Sequence, residues 1–398
     1  MNLGDLALIV AAGLAGPLLA ASRRVFVPVV AGEILAGVIL GRSGLDVVNA
    51  DNATVSFLAE AGFAMLMMTV GMHVPLRERR LRQALGRGAL AAGVAAIAAS
   101  LAGVVVAELT GTGHAAVYGI LLASGSAAVV LPTLQERKLD GPEALVVIAQ
   151  VTVADVAAIL AVPLVLQPSR VGNAVVGGLL IAACALIVFF VARSLRPRPW
   201  VHRLRKRSKR RGWALDLRLS LAVLFGLAWI AEQSGASVLL GGFALGLVVA
   251  AIGGPKRLSA QVRGVAEGFL VPLFFVVLGA RLDVSALVNQ PDLLLVTAGL
   301  IGANLVVHAV AALATRQPQS AGLIATAQLG VPAAVVQIGL QERVITPALG
   351  AAVTLAALAT LGLCGLGTDL LSRRVEPVTR GGLRGQGDRG PDEGARGG

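Results

Sequence analysis

The sequence is poor in charged and aromatic residues. Of its 398 residues, 14% are Asp, Glu, Lys or Arg and 4% are Phe, Trp or Tyr. Soluble domains carry about 25% charged residues, so the composition excludes an ordinary water-soluble protein. The two cysteines, Cys184 and Cys364, both lie in apolar stretches, which argues against a disulfide framework or a metal site built on cysteine. Phosphate-binding loops, nucleophile elbows and zinc-peptidase motifs do not occur, so we expect neither an enzyme nor a bound cofactor.

Long apolar runs are abundant, because 56% of the residues are hydrophobic. A helix needs roughly 20 mostly apolar residues to cross a bilayer, and we predict an all-α polytopic membrane protein with about thirteen spans. In order, these are residues 5–22, 26–41, 53–72, 86–108, 114–135, 142–167, 171–194, 214–231, 237–252, 262–279, 293–315, 320–340 and 346–371. The acidic Asp5 begins the first run, so we interpret that run as a retained helix and not as a signal peptide.

Basic residues concentrate in alternate loops. Loops that follow odd-numbered spans contain Arg23 and Arg24, Lys138, Arg316 and the dense cluster Arg203–Arg211, whereas the other loops contain few. Cytoplasmic loops are enriched in Lys and Arg, which places the N-terminus outside and the C-terminus in the cytoplasm. The net charge of +12 therefore reflects orientation in the membrane and not binding of nucleic acid. The cluster Arg203–Arg211 either sets topology or binds anionic lipid.

An internal repeat relates the two halves of the chain. Val29–Leu45 resembles Val238–Gly254, and Leu58–Val74 resembles Val265–Leu282. Each pair lies seven spans apart, and an odd offset means that the two copies cross the membrane in opposite directions. Two inverted six-span repeats joined by a linker span are typical of secondary transporters, which bind substrate between the repeats near the midplane.

Two spans at corresponding places in the repeats contain helix-breaking residues. The fifth is interrupted by Ser124–Ser126 and Pro132, and the twelfth by Gly330 and Pro332. Paired interruptions of this kind indicate a transporter binding site, because unwound segments expose backbone groups that hold ions. Isolated Gly and Pro also merely kink membrane helices, and the sequence alone leaves both interpretations open.

Asp155 is an acid near the middle of the sixth span. Burying a carboxylate at that depth costs about 2.5–3.5 kcal/mol on insertion scales, and such residues usually mark ion or proton paths. Hydrogen bonding to a neighbouring helix is the structural alternative. One carboxylate that binds either a proton or a monovalent cation is sufficient for antiport, since the two compete for it. Ser124, Ser126 and Thr152 provide further oxygen ligands, which hard cations prefer.

Three other polar residues inside spans are candidates for a supporting role. Glu33 lies in the Gly-rich second span, where it either lines a water path or makes an interhelical hydrogen bond. Asn304 and His308 lie one turn apart in the eleventh span, which we expect to run beside the broken spans. A buried His is either part of the core or a functional group that titrates near neutral pH.

These motifs resemble the monovalent cation:proton antiporter family, which includes bacterial sodium/proton and Kef-type potassium/proton exchangers. The resemblance covers most of the membrane part and rests on PVVAGEILAGVILGRSGL, SGSAAVVLPTLQERKL, TVADVAAI and FLVPLFFVVLGARLD. It implies a homodimer in the plasma membrane of a bacterium. Asp155 would bind either the proton or the cation, and transport would proceed by alternating access. A transport-inactive sensor or accessory protein on the same scaffold is the alternative.

The resemblance also implies a division of the chain. Residues 1–84 and 214–290 would form a dimerising scaffold, and residues 85–168 and 291–372 a moving core. Residues 169–213 would form a linker span with a basic cytoplasmic loop, and the Gly- and Arg-rich residues 373–398 a disordered tail. We expect no Kef-type nucleotide-binding domain after so short a tail. The chain departs from the family pattern at Ala154, where a polar residue is usual, and at His308 or Asn304, where a Lys is common.

Overall fold

The computed structural model describes residues 2–21, 28–77, 79–167, 171–253 and 256–384. These residues form helices and contain no strand. In chain order the helices are α1 (Leu3–Gly13), α2 (Ala15–Ala20), α3 (Val29–Leu40), α4 (Ala53–Met72), α5 (Arg79–Thr110), α6 (Ala115–Ala123), α7 (Ala127–Glu136), α8 (Pro142–Leu166), α9 (Val171–Leu195), α10 (Pro199–Arg211), α11 (Leu215–Gln233), α12 (Val238–Ile252), α13 (Lys256–Val265), α14 (Val271–Arg281), α15 (Ser285–Asn289), α16 (Pro291–Ala314), α17 (Gln319–Ala325), α18 (Gly330–Gln341) and α19 (Pro347–Arg384). A π-helical turn, Ala266–Leu270, joins α13 to α14.

The helices confirm the prediction of an all-α polytopic membrane protein. Within the described residues, ten segments are long and apolar enough to cross a membrane, and the bent pair of α10 and α11 brings the number to 11. The helices α3 and α12 are also apolar but shorter, at 12 and 15 residues. Each predicted span coincides with one of these segments. Short apolar helices need the packing of their neighbours, because the bilayer core is about 30 Å thick.

Two segments differ from what the sequence predicts. The helix α19 continues to Arg384, past the predicted start of the disordered tail, and residues 385–398 lie outside the described part of the chain. The basic segment after the seventh span is not a loop, since residues 199–211 form the helix α10, bent by 107° from α11. Pro199 at its first position favours a helical start. Gly212 ends it in the left-handed conformation, at φ 68°, which glycine adopts without strain.

The helices α1 to α4 and α11 to α14 pack into one group. In it α4 packs along α12 and α14, and α3 packs along α14. Glycine permits these close crossings. A Cβ atom at Gly37 would lie only 2.0 Å from the carbonyl oxygen of Val276, and one at Gly246 would lie 2.3 Å from that of Met68. Small residues let membrane helices approach until their backbones touch. The helix α9 packs against α11 and α12 at the edge of this group.

The remaining long helices pack into a second group. In it α5 packs on α6, α8 and α16, and α17 packs on α19. The helix α8 also contacts α7, α17 and α18, so it runs past both interrupted spans. The helix α8 begins at Pro142 and contains few polar residues besides Asp155. The helix therefore carries Asp155 into the interior of this group.

Candidate ion-binding site

Asp155 lies inside the helix group, shielded from the surface. Its side chain is only 1% exposed, and its Oδ1 atom has no hydrogen-bond partner among the described residues. The backbone amide of Ala127 interacts with the carboxylate. Ala127 is the first residue of α7, and the N-terminus of a helix carries a positive partial charge. The positive end of a helix therefore lies next to the carboxylate.

The first helix break presents that amide. The helix α6 ends at Ala123, and Ser124 and Ser126 both have extended backbones before α7 begins. Gly125, between them, packs directly on α8, since a Cβ atom there would lie 2.8 Å from the Cβ of Val151. Val151 is one turn from Asp155, so the break and the carboxylate are adjacent. The predicted interruption at Ser124–Ser126 is confirmed, whereas Pro132 lies inside α7.

The second break lies slightly earlier than the sequence predicts. The helix α17 ends at Ala325 and α18 begins at Gly330, so residues 326–329 form the break. Gly330 and Pro332 belong to the first turn of α18, where the missing amide of proline costs no helical hydrogen bond. Both are buried, and Gly330 faces Val70 of α4.

Gln328 joins the two breaks, and sequence reasoning missed it. Its side-chain amide donates a hydrogen bond to the carbonyl oxygen of Leu121, in the last turn of α6. The Ser124 hydroxyl donates to the same carbonyl, at 2.8 Å. The breaks of the fifth and twelfth spans therefore meet in space. A polar residue two positions before the Gly-Val-Pro sequence is the signal that could have identified Gln328.

The predicted oxygen ligands lie at the first break or, on α8, next to it. The hydroxyls of Ser126 and Thr152 are buried and have no hydrogen-bond partner within the described chain. Thr152 precedes Asp155 by three residues, which places both on one face of α8, and Ser126 directly precedes the amide of Ala127. An unsatisfied buried polar atom costs about 1–3 kcal/mol, so these oxygens are suited to a ligand. The Ser124 hydroxyl donates to Leu121 and accepts no hydrogen bond from the described residues.

His308 lies at the junction but does not pair with Asp155. Its Nδ1 atom is 3.5 Å from Nε2 of Gln150. The ring also lies near the backbone of Ser124, but its Nε2 atom has no hydrogen-bond partner among the described residues. Since Nε2 of Gln150 can only donate, Nδ1 accepts in this arrangement. The buried ring of His308 is therefore partnered by Gln150 of α8. Gln150, also on α8 and buried, was missed, although a polar residue in an apolar run is a visible signal.

The fold places the two remaining candidates, Asn304 and Glu33, in different helix groups. Asn304 is 1% exposed and lines a small cavity together with Leu121, Gln328 and Thr360, so it belongs to the junction of the breaks. Glu33 is buried in α3, which packs against α1, α2 and α14. It therefore belongs to the other helix group and is not brought to Asp155. Among the described residues, no cluster of three or more His, Cys, Asp and Glu could hold a metal ion.

A polytopic helical protein in which two broken helices meet beside a buried carboxylate has the architecture of a secondary transporter. The family described as "Sodium/hydrogen exchanger, transmembrane" matches residues 8–374. The chain belongs to this family, and it is a multi-pass membrane protein.

Known relatives and a solved structure agree with this assignment. The chain is 27% identical over 363 residues to YjbQ of Bacillus subtilis, whose name describes a Na(+)/H(+) antiporter, covering 86% of this chain and 58% of that protein. It is 26% identical over 288 residues to the glutathione-regulated potassium-efflux system protein KefC of Salmonella typhimurium, covering 70% and 45%. The chain thus spans about half the length of the curated relatives it matches. The sodium proton antiporter MjNhaP1 of Methanocaldococcus jannaschii, solved at pH 8, matches with a TM-score of 0.61 and 18% identity over 93% of this chain and 96% of that one. At this identity the likeness shows the fold.

Proposed function

We propose that the protein is a secondary antiporter that exchanges protons for a monovalent cation, Na⁺ or K⁺, by alternating access. The observation that carries the proposal is the position of Asp155, buried where the N-terminus of α7 meets the break of the crossing helix. Family membership and relatives named for Na⁺/H⁺ antiport and for potassium efflux support exchange of a cation for a proton.

Competition for Asp155 would couple the two ions. The protonated carboxyl is neutral, and the ionised carboxylate takes a cation with help from the hydroxyls of Ser126 and Thr152. Since one carboxylate cannot hold both ions, the apparent KM for the cation should rise as the pH falls, by mass action. Ala154 supplies no second carboxylate, so one proton would exchange for one cation without net charge movement.

Alternating access requires the two helix groups to move relative to one another. Few polar contacts join them at the end of α18. Nη1 of Arg281 donates to Oε1 of Gln337 at 3.1 Å, and Nε2 of Gln341 donates to Oε1 of Glu60 at 2.8 Å. These are neutral–charged pairs between flexible side chains, and a rigid-body shift would break them at modest cost, about 1.5–3 kcal/mol each. We assign scaffold and dimerisation to the group with α4 and α12, and ion translocation to the group with α8.

The protein would act in the plasma membrane of a bacterium, with its N-terminus outside and its C-terminus in the cytoplasm. The basic residues of alternate loops support this orientation. The helix α10, which contains Arg203–Arg211, would then lie on the cytoplasmic surface, where anionic lipid headgroups attract basic segments.

Reconstitution into proteoliposomes tests the antiport. Vesicles with a trapped pH dye receive pulses of Na⁺, K⁺ or Li⁺ across a pH series. Antiport predicts a change of internal pH for at least one cation and a KM that rises as the pH falls. A response that is equal with and without the protein would overturn the proposal.

A transport-inactive sensor or accessory protein is the second candidate. The neutral His308–Gln150 pair and Ala154 beside Asp155 favour it, because both positions differ from what the family resemblance implies. Isothermal titration separates the candidates when combined with the vesicle assay. A sensor binds a cation competitively with protons but gives no dye response to any cation, whereas an antiporter gives both signals.

A further inference from the structure

A large apolar groove runs between the two helix groups, away from the junction at Asp155. It has a volume of about 730 Å³, within the range of ligand pockets, and its walls are formed by α8, α9 and α12. The described residues that line it are all apolar. Leu160, Leu179 and Leu186 on its rim are more than half exposed, so the groove opens toward the surrounding membrane.

Two arginines lie together at one end of the groove, next to its lining residues Leu76 and Ala251. Nη1 of Arg77 donates to the carbonyl oxygen of Ile252 at 3.1 Å, and Nη1 of Arg196 donates to the same oxygen. Both side chains are otherwise exposed. Gly253 makes the arrangement possible, because its φ of +69° favours glycine and a Cβ atom there would collide with the guanidinium of Arg77.

Capping the C-terminus of α12 uses only part of the hydrogen-bonding capacity of these arginines. Each guanidinium has five N–H donors, and the contacts with Ile252 and Gly253 occupy one donor of Arg77 and two of Arg196. Arginine binds phosphate through pairs of parallel N–H donors. Two adjacent guanidiniums whose remaining donors have no partner among the described residues are therefore a suitable site for a phosphate ester.

We propose that an anionic phospholipid binds here, with an acyl chain in the groove and its phosphate at Arg77 and Arg196. Within a membrane an unfilled groove forfeits dispersion contacts, and the bilayer supplies acyl chains at high local concentration. The positive charge at one end selects a lipid over an apolar helix of a second protein. The basic helix α10 begins three residues after Arg196 and adds to the attraction for anionic headgroups.

The site has a consequence that depends on the proposed antiport. Val156 lines the groove and follows Asp155 on α8, whereas the opposite wall belongs to α9 and α12 of the other helix group. Movement of α8 past that wall would reshape the groove. Exchange should then vary with the anionic lipid content of the vesicle, while binding of the lipid itself requires no transport.

Native mass spectrometry of the purified full chain tests binding directly. The protein in detergent is titrated with phosphatidylglycerol or phosphatidylcholine of identical acyl chains, and with inorganic phosphate as the headgroup alone. We expect retained phosphatidylglycerol adducts at concentrations at least about fivefold below those for phosphatidylcholine, equivalent to ~1 kcal/mol, and no displacement by inorganic phosphate. Equal retention of both lipids, or displacement by phosphate, would overturn the proposal.

Matched variants separate the headgroup from the chain. Arg196→Gln alone and with Arg77→Gln should remove the preference for phosphatidylglycerol. Arg193→Gln, which changes an exposed arginine in the last turn of α9, should preserve it. Gly178→Phe should fill the groove and weaken the binding of both lipids. A larger side chain fits there, because the nearest described atom to a Cβ belongs to Leu240, at 3.7 Å. Gly226→Phe on α11 is its control. Size-exclusion profiles confirm folding of each variant, and unchanged adducts in folded Arg196→Gln and Gly178→Phe would refute the site.

Discussion

The helices α8 and α19 occupy similar places but differ in their polar residues. Each runs past a broken span, since α8 contacts α6 and α7 while α19 contacts α17 and α18. The buried threonines of α19 satisfy themselves within the helix, as Thr354, Thr360 and Thr368 donate to carbonyls three or four residues earlier, at 2.7–2.8 Å. On α8, Thr152 Oγ1 and Asp155 Oδ1 have no such partner. Of these two helices, as far as the described residues show, α8 has oxygen atoms without a partner beside a break, which is why we propose the site in the first half of the fold.

The largest expected effect comes from removing the carboxylate of α8. Asp155→Asn should abolish cation-driven proton movement in proteoliposomes, because the amide neither titrates nor carries the charge that binds a cation. Asp369→Asn is the matched change on α19. It removes an exposed ion pair with Arg137 at 2.6 Å, worth about 0–1 kcal/mol, and should leave transport intact. Undiminished exchange by Asp155→Asn would show that the ion binds elsewhere.

The two breaks should differ in their tolerance of a methyl group. Gly125→Ala would push its Cβ to 2.8 Å from that of Val151, whereas in Gly330→Ala the Cβ meets Val70 at 3.5 Å and Met67 at 3.7 Å, which are ordinary contacts. We expect the first variant to lose about 1–3 kcal/mol of stability through overpacking and at least about tenfold in exchange rate, equal to ~1.4 kcal/mol in barrier. Thermal unfolding and initial rates measure both. Equal behaviour of the two variants would contradict the close contact of the first break with α8.

The unpaired and the paired threonine should respond in opposite ways. Thr152→Val removes a proposed cation ligand, so the KM for the cation should rise by about three- to tenfold, which corresponds to the loss of one hydrogen bond. The stability of the protein should be unchanged or higher, because the hydroxyl that is removed has no partner among the described residues. Thr368→Val on α19 removes an internal hydrogen bond and should cost about 0.5–1.5 kcal/mol of stability with no change in KM. A KM that is unchanged in Thr152→Val would remove this residue from the site.

The smallest effect is expected at the His308–Gln150 pair. His308→Ala should shift the pH profile of exchange without abolishing it, and Gln150→Ala should produce a similar shift. Because the two side chains contact each other, the double variant should show less than the sum of the single shifts. Additive shifts, or a profile that His308→Ala leaves unchanged, would assign His308 to packing alone.

Much of the fold was predictable because the bilayer imposes its own length scale. Apolar runs mark the spans, and each coincides with a helix or a broken helix pair in the described residues. The boundaries were harder to predict. The helix α10 is too basic to be recognised as a membrane span. The composition of the last residues of α19 predicted a disordered tail instead of a helix. Local propensity and end caps, such as Pro199 and Gly212, decide these segments.

Asp155, Ser124, Ser126 and Thr152 were identifiable from the sequence because polar groups in apolar runs are costly and therefore conspicuous. Gln150 and Gln328 share this signal but were missed, since a neutral amide costs less to bury. Their roles follow from contacts across 158 and 207 residues of chain, and periodicity within one helix cannot indicate such partners. Periodicity likewise cannot indicate that the fold places Glu33 away from Asp155.

The sequence by itself determined the membrane class, the spans, the first break and the carboxylate, because hydrophobicity, length and the cost of buried charge act locally along the chain. Only the tertiary structure decided that the two breaks meet through Gln328, that His308 faces Gln150 and not Asp155, and that α19 satisfies its own hydroxyls. Those outcomes depend on which helix faces pack together, and packing is a property of the whole assembly of helices.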